Sequence, residues 1–88
     1  MKIARAYASV PALEYMLDKH GVDWHEVQEA LVNATSVRRT RTARHGQKRY
    51  MAFGPTEAGR RPAIVFAVEG RDTARVITAF DEKRRRRR

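Results

Sequence analysis

The chain has 88 residues, which is the size of one small domain. It contains no cysteine, so disulfides and cysteine-ligated metal sites are excluded. No apolar run approaches about eighteen residues and no signal-peptide pattern begins the chain, which predicts a cytoplasmic protein without a membrane-spanning helix.

The charge is strongly positive and unevenly distributed. The net charge is +9. Residues 1–34 carry three lysines or arginines against five acidic residues, whereas residues 35–88 carry sixteen against five. Arginine outnumbers lysine fifteen to four, and the planar guanidinium fork matches the geometry of a phosphate. These features predict a polyanionic partner, with nucleic acid as the first choice and an acidic protein as the second.

The first third of the chain predicts a strand followed by two helices. Residues 1–8 alternate weakly between apolar and basic side chains, as a strand does. Ser9 is a candidate N-cap for the first helix, and Gly21 is a candidate for the residue that follows its end. Asp23 can cap the second helix, and Glu26 three residues later resembles a capping box. Because one short turn separates the two helices, we expect an antiparallel helical hairpin.

The rest of the chain predicts strands. Residues 36–44 tolerate a β conformation but are very polar, which is typical of an edge strand. Residues 48–54 alternate cleanly, and residues 74–80 form the last predicted strand. Between them, Ala63–Val68 is six apolar residues in a row, which predicts a central strand covered on one face by helices and at least partly on the other. The short connections favour antiparallel neighbours.

The predicted order is β-α-α-β-β-β. It describes a single α+β domain over residues 1–82, with two helices packed on one face of a small antiparallel sheet and the arginines on the other face. Residues 83–88 form a basic tail that ends in five consecutive arginines, which repel one another.

Three stretches of the sequence resemble the BrnT-type toxins. They are KHGVDWHEV at Lys19–Val27, RYMAFG at Arg49–Gly54 followed by Gly59-Arg60, and Glu69 followed by ARVITA at Ala74–Ala79. They stand in the order that the family has and span most of the chain. The resemblance implies a RelE-like fold, metal-independent RNA cleavage and neutralisation by a cognate antitoxin protein. It therefore implies an endoribonuclease that is the toxin of a type II toxin–antitoxin system.

The sequence departs from this pattern near its end. Phe80 stands where the family usually has an arginine, and the tail lacks the family's Glu-Arg-Arg sequence. Both departures bear on catalysis more than on the fold. The Phe80 departure favours the alternative that the chain is a non-catalytic, basic nucleic-acid-binding protein with the same fold.

RNA cleavage without a metal needs a base for the 2′-hydroxyl, cations for the phosphate and an acid for the leaving oxygen. Arg49 and Arg75 are the candidate phosphate clamp, although both could also be ordinary solvated or ion-paired arginines. Glu69 is the candidate base if burial raises its pKa towards neutrality; its alternative role is an ion pair with an arginine. His45 is the candidate acid or base in the basic half, or else a plain turn residue. Tyr50 could stack on a base or donate a proton, but an aromatic residue in a strand more often packs against its neighbours.

Further phosphate contacts are expected from a set of exposed basic residues. They are Lys48, Arg61, Arg71, Lys83, Arg84 and Arg85. The spacing of His20 and His25 is not that of a helical metal pair, so we predict no metal site and no cofactor. RNA and an antitoxin are the expected partners, no membrane is expected, and the sequence leaves homo-oligomerisation open.

Overall fold

A computed structural model describes residues 3–40 and 48–81 of the chain. Its elements in chain order are β1 (Arg5–Tyr7), α1 (Val10–His20), α2 (Trp24–Val32), β2 (Ser36–Arg39), β3 (Arg49–Phe53), β4 (Pro62–Glu69) and β5 (Thr73–Asp81). The strands form one sheet in the order β1-β5-β4-β3-β2. The prediction of an α+β domain with two helices against a small sheet is confirmed.

The helix ends follow the capping residues that the sequence offers. The Ser9 side chain accepts a hydrogen bond from the Ala12 N–H at 3.2 Å, and Gly21 adopts a left-handed conformation after α1 with φ of 66°. Asp23 Oδ1 accepts the Glu26 N–H at 2.8 Å and begins α2. The Glu26 carboxylate binds Arg60 rather than completing the predicted capping box.

The sheet is mixed, so the prediction of an antiparallel sheet is wrong in one pair of strands. β1 runs parallel to β5, with Arg5 opposite Thr73 and Tyr7 opposite Arg75, and the other pairs are antiparallel. Short connections predict only neighbours along the chain, whereas β1 and β5 meet from opposite ends of it. The predicted order also omits one strand, because all five segments with strand character pair in the sheet.

The central position predicted for Ala63–Val68 is confirmed. β4 lies between β3 and β5, and its Ile64 and Phe66 are at most 1% exposed. These two side chains belong to a core that α1 and α2 cover through Met16 and Val27, among others. The opposite side of the sheet, which alternation assigns to Arg49, Ala67 and the residues paired with them, is called the open face below.

A bulge within β5 interrupts the regular alternation of side chains between the two faces of the sheet. Val65 pairs with Thr78 but Phe66 pairs with Val76, so Ile77 is an extra residue. The sequence pattern places Arg75 on one face with Ala79. In the structure Ala79 pairs with the core residue Ile64, whereas Arg75 pairs with Ala67 on the open face. The bulge therefore places Arg75 and Ala79 on opposite faces.

The loop between β3 and β4 is bound tightly to α2. A Cβ atom on Gly54 would lie 2.1 Å from the Ala30 carbonyl oxygen, so only glycine permits this approach. Farther along the loop, the Glu57 N–H donates to Glu29 at 2.9 Å. Arg60 donates to both carboxylate oxygens of Glu26, at 2.9 and 2.8 Å. The loop thus holds the helical hairpin against the sheet.

Candidate active site on the open face

One row of cross-strand partners brings the two candidate clamp arginines together. Arg49 of β3 pairs with Ala67 of β4, Ala67 pairs with Arg75 of β5, and Arg75 pairs with Tyr7 of β1. Residues paired across neighbouring strands point to the same face of a sheet. Arg49 and Arg75 therefore share the open face, with about 10 Å between their Cα atoms. Ala67 between them is fully buried, so neighbouring side chains cover its methyl group.

Glu69 joins this row from two residues farther along β4. Its Oε2 accepts a hydrogen bond from Arg75 Nε at 2.9 Å, and its Oε1 accepts one from the Tyr7 hydroxyl at 2.6 Å. The side chains of Arg75 and Glu69 are 33% and 43% exposed. One carboxylate thus links β1, β4 and β5 while remaining accessible to a ligand.

These hydrogen bonds shift the pKa values of both Glu69 and Tyr7. The Tyr7 hydroxyl holds the pKa of Glu69 below its usual value, and the hydrogen bond and charge of Arg75 act in the same direction against the raising effect of desolvation. The same hydrogen bond raises the pKa of Tyr7, with help from desolvation and the Glu69 charge and with Arg75 opposing it. The expectation that burial raises the pKa of Glu69 towards neutrality is wrong, because hydrogen bonding to the ionised form outweighs desolvation. Glu69 is a carboxylate at neutral pH.

Arg49 differs from Arg75 in its contacts. Its Nε is buried and has no hydrogen-bond partner in the described parts of the chain. Because the atom is closed to solvent, the cost of a buried donor without a partner, typically about 1–3 kcal/mol, is borne within the fold.

Tyr50 lies outside this cluster. It pairs with Phe66 on the helix-covered face, where the two rings stack with centroids 5.8 Å apart. The sheet therefore separates it from Arg49 and Arg75, and its packing role is the one observed. Phe80 lies five positions beyond Arg75 in β5, so the departure from the family pattern leaves the arginine row intact.

The other predicted residues that the structure describes lie at the two ends of the sheet. Lys48 is exposed directly before β3, and Arg71 is exposed in the turn between β4 and β5, so both flank the end that carries Arg49 and Arg75. Arg61 is exposed at the opposite end, directly before β4. His45 and the tail residues Lys83, Arg84 and Arg85 lie outside the described residues.

Tyr7 is the site residue that sequence reasoning missed. A tyrosine in a weakly alternating N-terminal strand carries no chemical signal, and only its parallel pairing with β5 brings it to Glu69. Within residues 3–40 and 48–81, no helix is long and apolar enough to span a membrane. In the same ranges, no three acidic or histidine side chains are grouped as metal ligands.

The fold and this site define a small α+β protein whose open sheet face carries two arginines in one cross-strand row. The sequence model of a family described as the ribonuclease toxin BrnT of type II toxin–antitoxin systems matches residues 13–85. The chain therefore belongs to the BrnT family of ribonuclease toxins. Membership implies an RNA substrate and a protein antitoxin as partner.

A solved structure agrees with this fold. The chain is similar to the ribonuclease toxin BrnT of Brucella abortus, with a TM-score of 0.62 and 22% sequence identity, over 88% of this chain and 94% of that one. No curated protein matches the chain significantly.

Proposed function

We propose that this chain acts in the cytoplasm as the toxin of a type II toxin–antitoxin pair and cleaves RNA without a metal, by attack of a 2′-hydroxyl on the adjacent phosphate. A cognate antitoxin would suppress the cleavage by binding the toxin. The observation that carries the proposal is the row of Arg49, Ala67 and Arg75, with Glu69 attached to Arg75.

The two arginines are arranged to hold one phosphate between them. Glu69 occupies the Nε of Arg75 and orients the guanidinium, and the terminal Nη groups remain for phosphate oxygens. Arg49 contributes the charge of its guanidinium, since its buried Nε is closed to a ligand. Cations positioned in this way stabilise the charge that grows on the phosphate during attack, which is usually the largest contribution to such catalysis.

Proton transfer contributes less to the proposed rate enhancement than the arginines do. Glu69 accepts the proton of the attacking 2′-hydroxyl, the O2′–P bond forms, and the P–O5′ bond breaks. The lowered pKa makes Glu69 a weak base, so the arginines supply most of the rate enhancement. Tyr7 stays protonated and holds the carboxylate in place. His45 remains the candidate donor of the proton that the leaving 5′-oxygen takes.

The remaining basic residues attract the RNA. Lys48 and Arg71 flank the proposed clamp and would contact neighbouring phosphates. The tail residues Lys83, Arg84 and Arg85 add attraction that weakens steeply as salt rises.

The proposal is tested by incubating the purified protein with single-stranded RNA in EDTA. We expect fragments that end in 2′,3′-cyclic phosphate, because the 2′-oxygen is the nucleophile. The same RNA with 2′-O-methyl groups at every position should remain whole. RNA that stays intact in EDTA at every protein concentration contradicts metal-independent cleavage.

The second candidate is a non-catalytic RNA-binding protein, which the ion pair and the lowered pKa of Glu69 favour. It predicts salt-sensitive RNA binding without cleavage, and affinity that falls stepwise as tail arginines are deleted. Equal affinity at low and high salt contradicts it.

A further inference from the structure

A second cationic cluster lies on the open face, at the end away from Arg75. The Arg38 Cζ atom lies 5.3 Å from the centroid of the Phe53 ring, and the Arg61 Cζ atom lies 6.0 Å from it. Phe53 is only 5% exposed although alternation along β3 places it on the face opposite the helices. The two arginine side chains cover it.

The cluster is held together by backbone and side-chain bonds. The Arg61 Nη2 donates to the Thr35 hydroxyl at 3.1 Å. The Thr35 N–H donates to the Phe53 carbonyl at 2.9 Å. Arg61 is therefore fixed beside the ring by the segment that leads into β2.

Among the described residues, no carboxylate forms an ion pair with either arginine of this cluster. Arg60 and Arg75 each form an ion pair with a glutamate, but Arg38 and Arg61 form none with a carboxylate in residues 3–40 and 48–81. Both residues are exposed. A guanidinium held against an aromatic face loses little further freedom on binding, and its N–H edge matches two phosphate oxygens.

The two cationic clusters are aligned along the same strand. Arg49 and Phe53 lie four residues apart on β3, which is about 13 Å. That separation is too long for one nucleotide but suits a short single strand laid along the open face. Every nucleotide of such a strand contributes a backbone phosphate whatever its base, so this contact needs no particular sequence.

We propose that Arg38, Phe53 and Arg61 form a second phosphate-binding subsite for single-stranded RNA. It receives a backbone phosphate farther along the strand than the one held by Arg49 and Arg75, so the inference rests on the proposed function. Arg38 and Arg61 bind the phosphate, and Phe53 positions their guanidinium groups. The subsite thereby makes the enzyme prefer RNA that extends beyond the cleaved bond.

The test compares an R38A/R61A double variant with an R39A/K19A double variant. The control removes the same charge from elsewhere: Arg39 pairs with Tyr50 on the helix-covered side of the sheet, and Lys19 lies on α1. We expect kcat/KM on a single-stranded oligomer to fall about tenfold in R38A/R61A, with cleavage of a dinucleotide unchanged. The control variant should resemble the wild type on both substrates.

A binding measurement with 2′-O-methyl RNA separates this inference from the cleavage mechanism. The slope of log K against log salt should be shallower by about 1.4 in R38A/R61A, because two phosphate contacts to a single strand are lost. An unchanged slope overturns the subsite even if the wild type cleaves RNA. An equal loss of slope in the control variant also overturns it. The expected slope in a protein that cleaves nothing supports the subsite while the proposed cleavage fails.

Discussion

Two arginine–glutamate pairs within residues 3–40 and 48–81 differ in how many of their hydrogen-bonding groups the protein itself satisfies. In the first, Arg60 binds both carboxylate oxygens of Glu26 and also donates to the Gly21 carbonyl at 2.8 Å. The Glu26 side chain is 13% exposed. This pair joins the β3–β4 loop to both helices, and its bonding capacity is largely satisfied within the protein.

The second pair leaves bonding capacity on the open face. Arg75 uses only its Nε towards Glu69, and Glu69 divides its two oxygens between Arg75 and Tyr7. Both side chains are more exposed than the Glu26 side chain. The same two residue types therefore serve stability where the pair is closed and can serve binding where it is open.

Replacement of Arg75 tests most directly whether the exposed pair serves RNA cleavage rather than stability. In R75A we expect RNA cleavage to fall by about 10²–10³, as for loss of one preorganised donor. The fold should remain, because an exposed ion pair contributes only about 0–1 kcal/mol. Cleavage rates and a thermal melt of the same sample measure both effects.

A conservative variant sharpens the Arg75 test. R75K keeps the charge but lacks the second donor edge, so it should recover only part of the lost rate. Wild-type cleavage by a folded R75A protein would remove Arg75 from the mechanism.

Replacement of Arg60 should have the opposite profile. In R60A the free energy of unfolding should fall by about 2 kcal/mol, because Glu26 and the Gly21 carbonyl lose their charged partner. That loss corresponds to a Tm lower by roughly 10 °C for a domain of this size. Well below the new Tm, the cleavage rate should match the wild type. A stable R60A protein with a slow rate would show that the two pairs do not divide the roles in this way.

Local signals in the sequence were sufficient for much of the fold. Ser9, Gly21 and Asp23 mark the helix ends through their side-chain and backbone chemistry, and the structure confirms each. The apolar run of Ala63–Val68 predicts the central strand because both of its faces must be covered. Alternation along β3 is also enough to separate Tyr50 from Arg49.

The site depends on contacts that no local pattern encodes. Tyr7 reaches Glu69 only because β1 pairs in parallel with β5, from the far end of the chain. The bulge at Ile77 of β5 then places Arg75 and Ala79 on opposite faces, which a strict two-residue period cannot predict. Burial alone suggests a raised pKa for Glu69, and the lowered value follows from bonds that only the assembled sheet provides.

The smallest expected effect is the pH dependence that the open pair adds to stability. The folded-state pKa of Glu69 lies below its ordinary value of 4.5, so folding favours the ionised carboxylate. Its contribution is complete above that value and is lost as the pH falls through the lower folded-state pKa. The stability difference between the wild type and E69Q should therefore shrink between about pH 6 and pH 3. Urea unfolding across this range measures it, and a constant difference contradicts the assignment.

Titration of Tyr7 provides the control for that experiment, because the same hydrogen bond raises its pKa above 10.0. The difference between ultraviolet titrations of the wild type and Y7F isolates Tyr7 from Tyr15 and Tyr50. Loss of the carboxylate charge in E69Q should move the midpoint back towards 10.0. If E69Q changes the acid dependence but leaves the Tyr7 midpoint in place, then the pKa of Glu69 is lowered by its bond to Arg75 alone. Agreement of the two shifts would show that one carboxylate holds β1 and β5 together at the proposed active site.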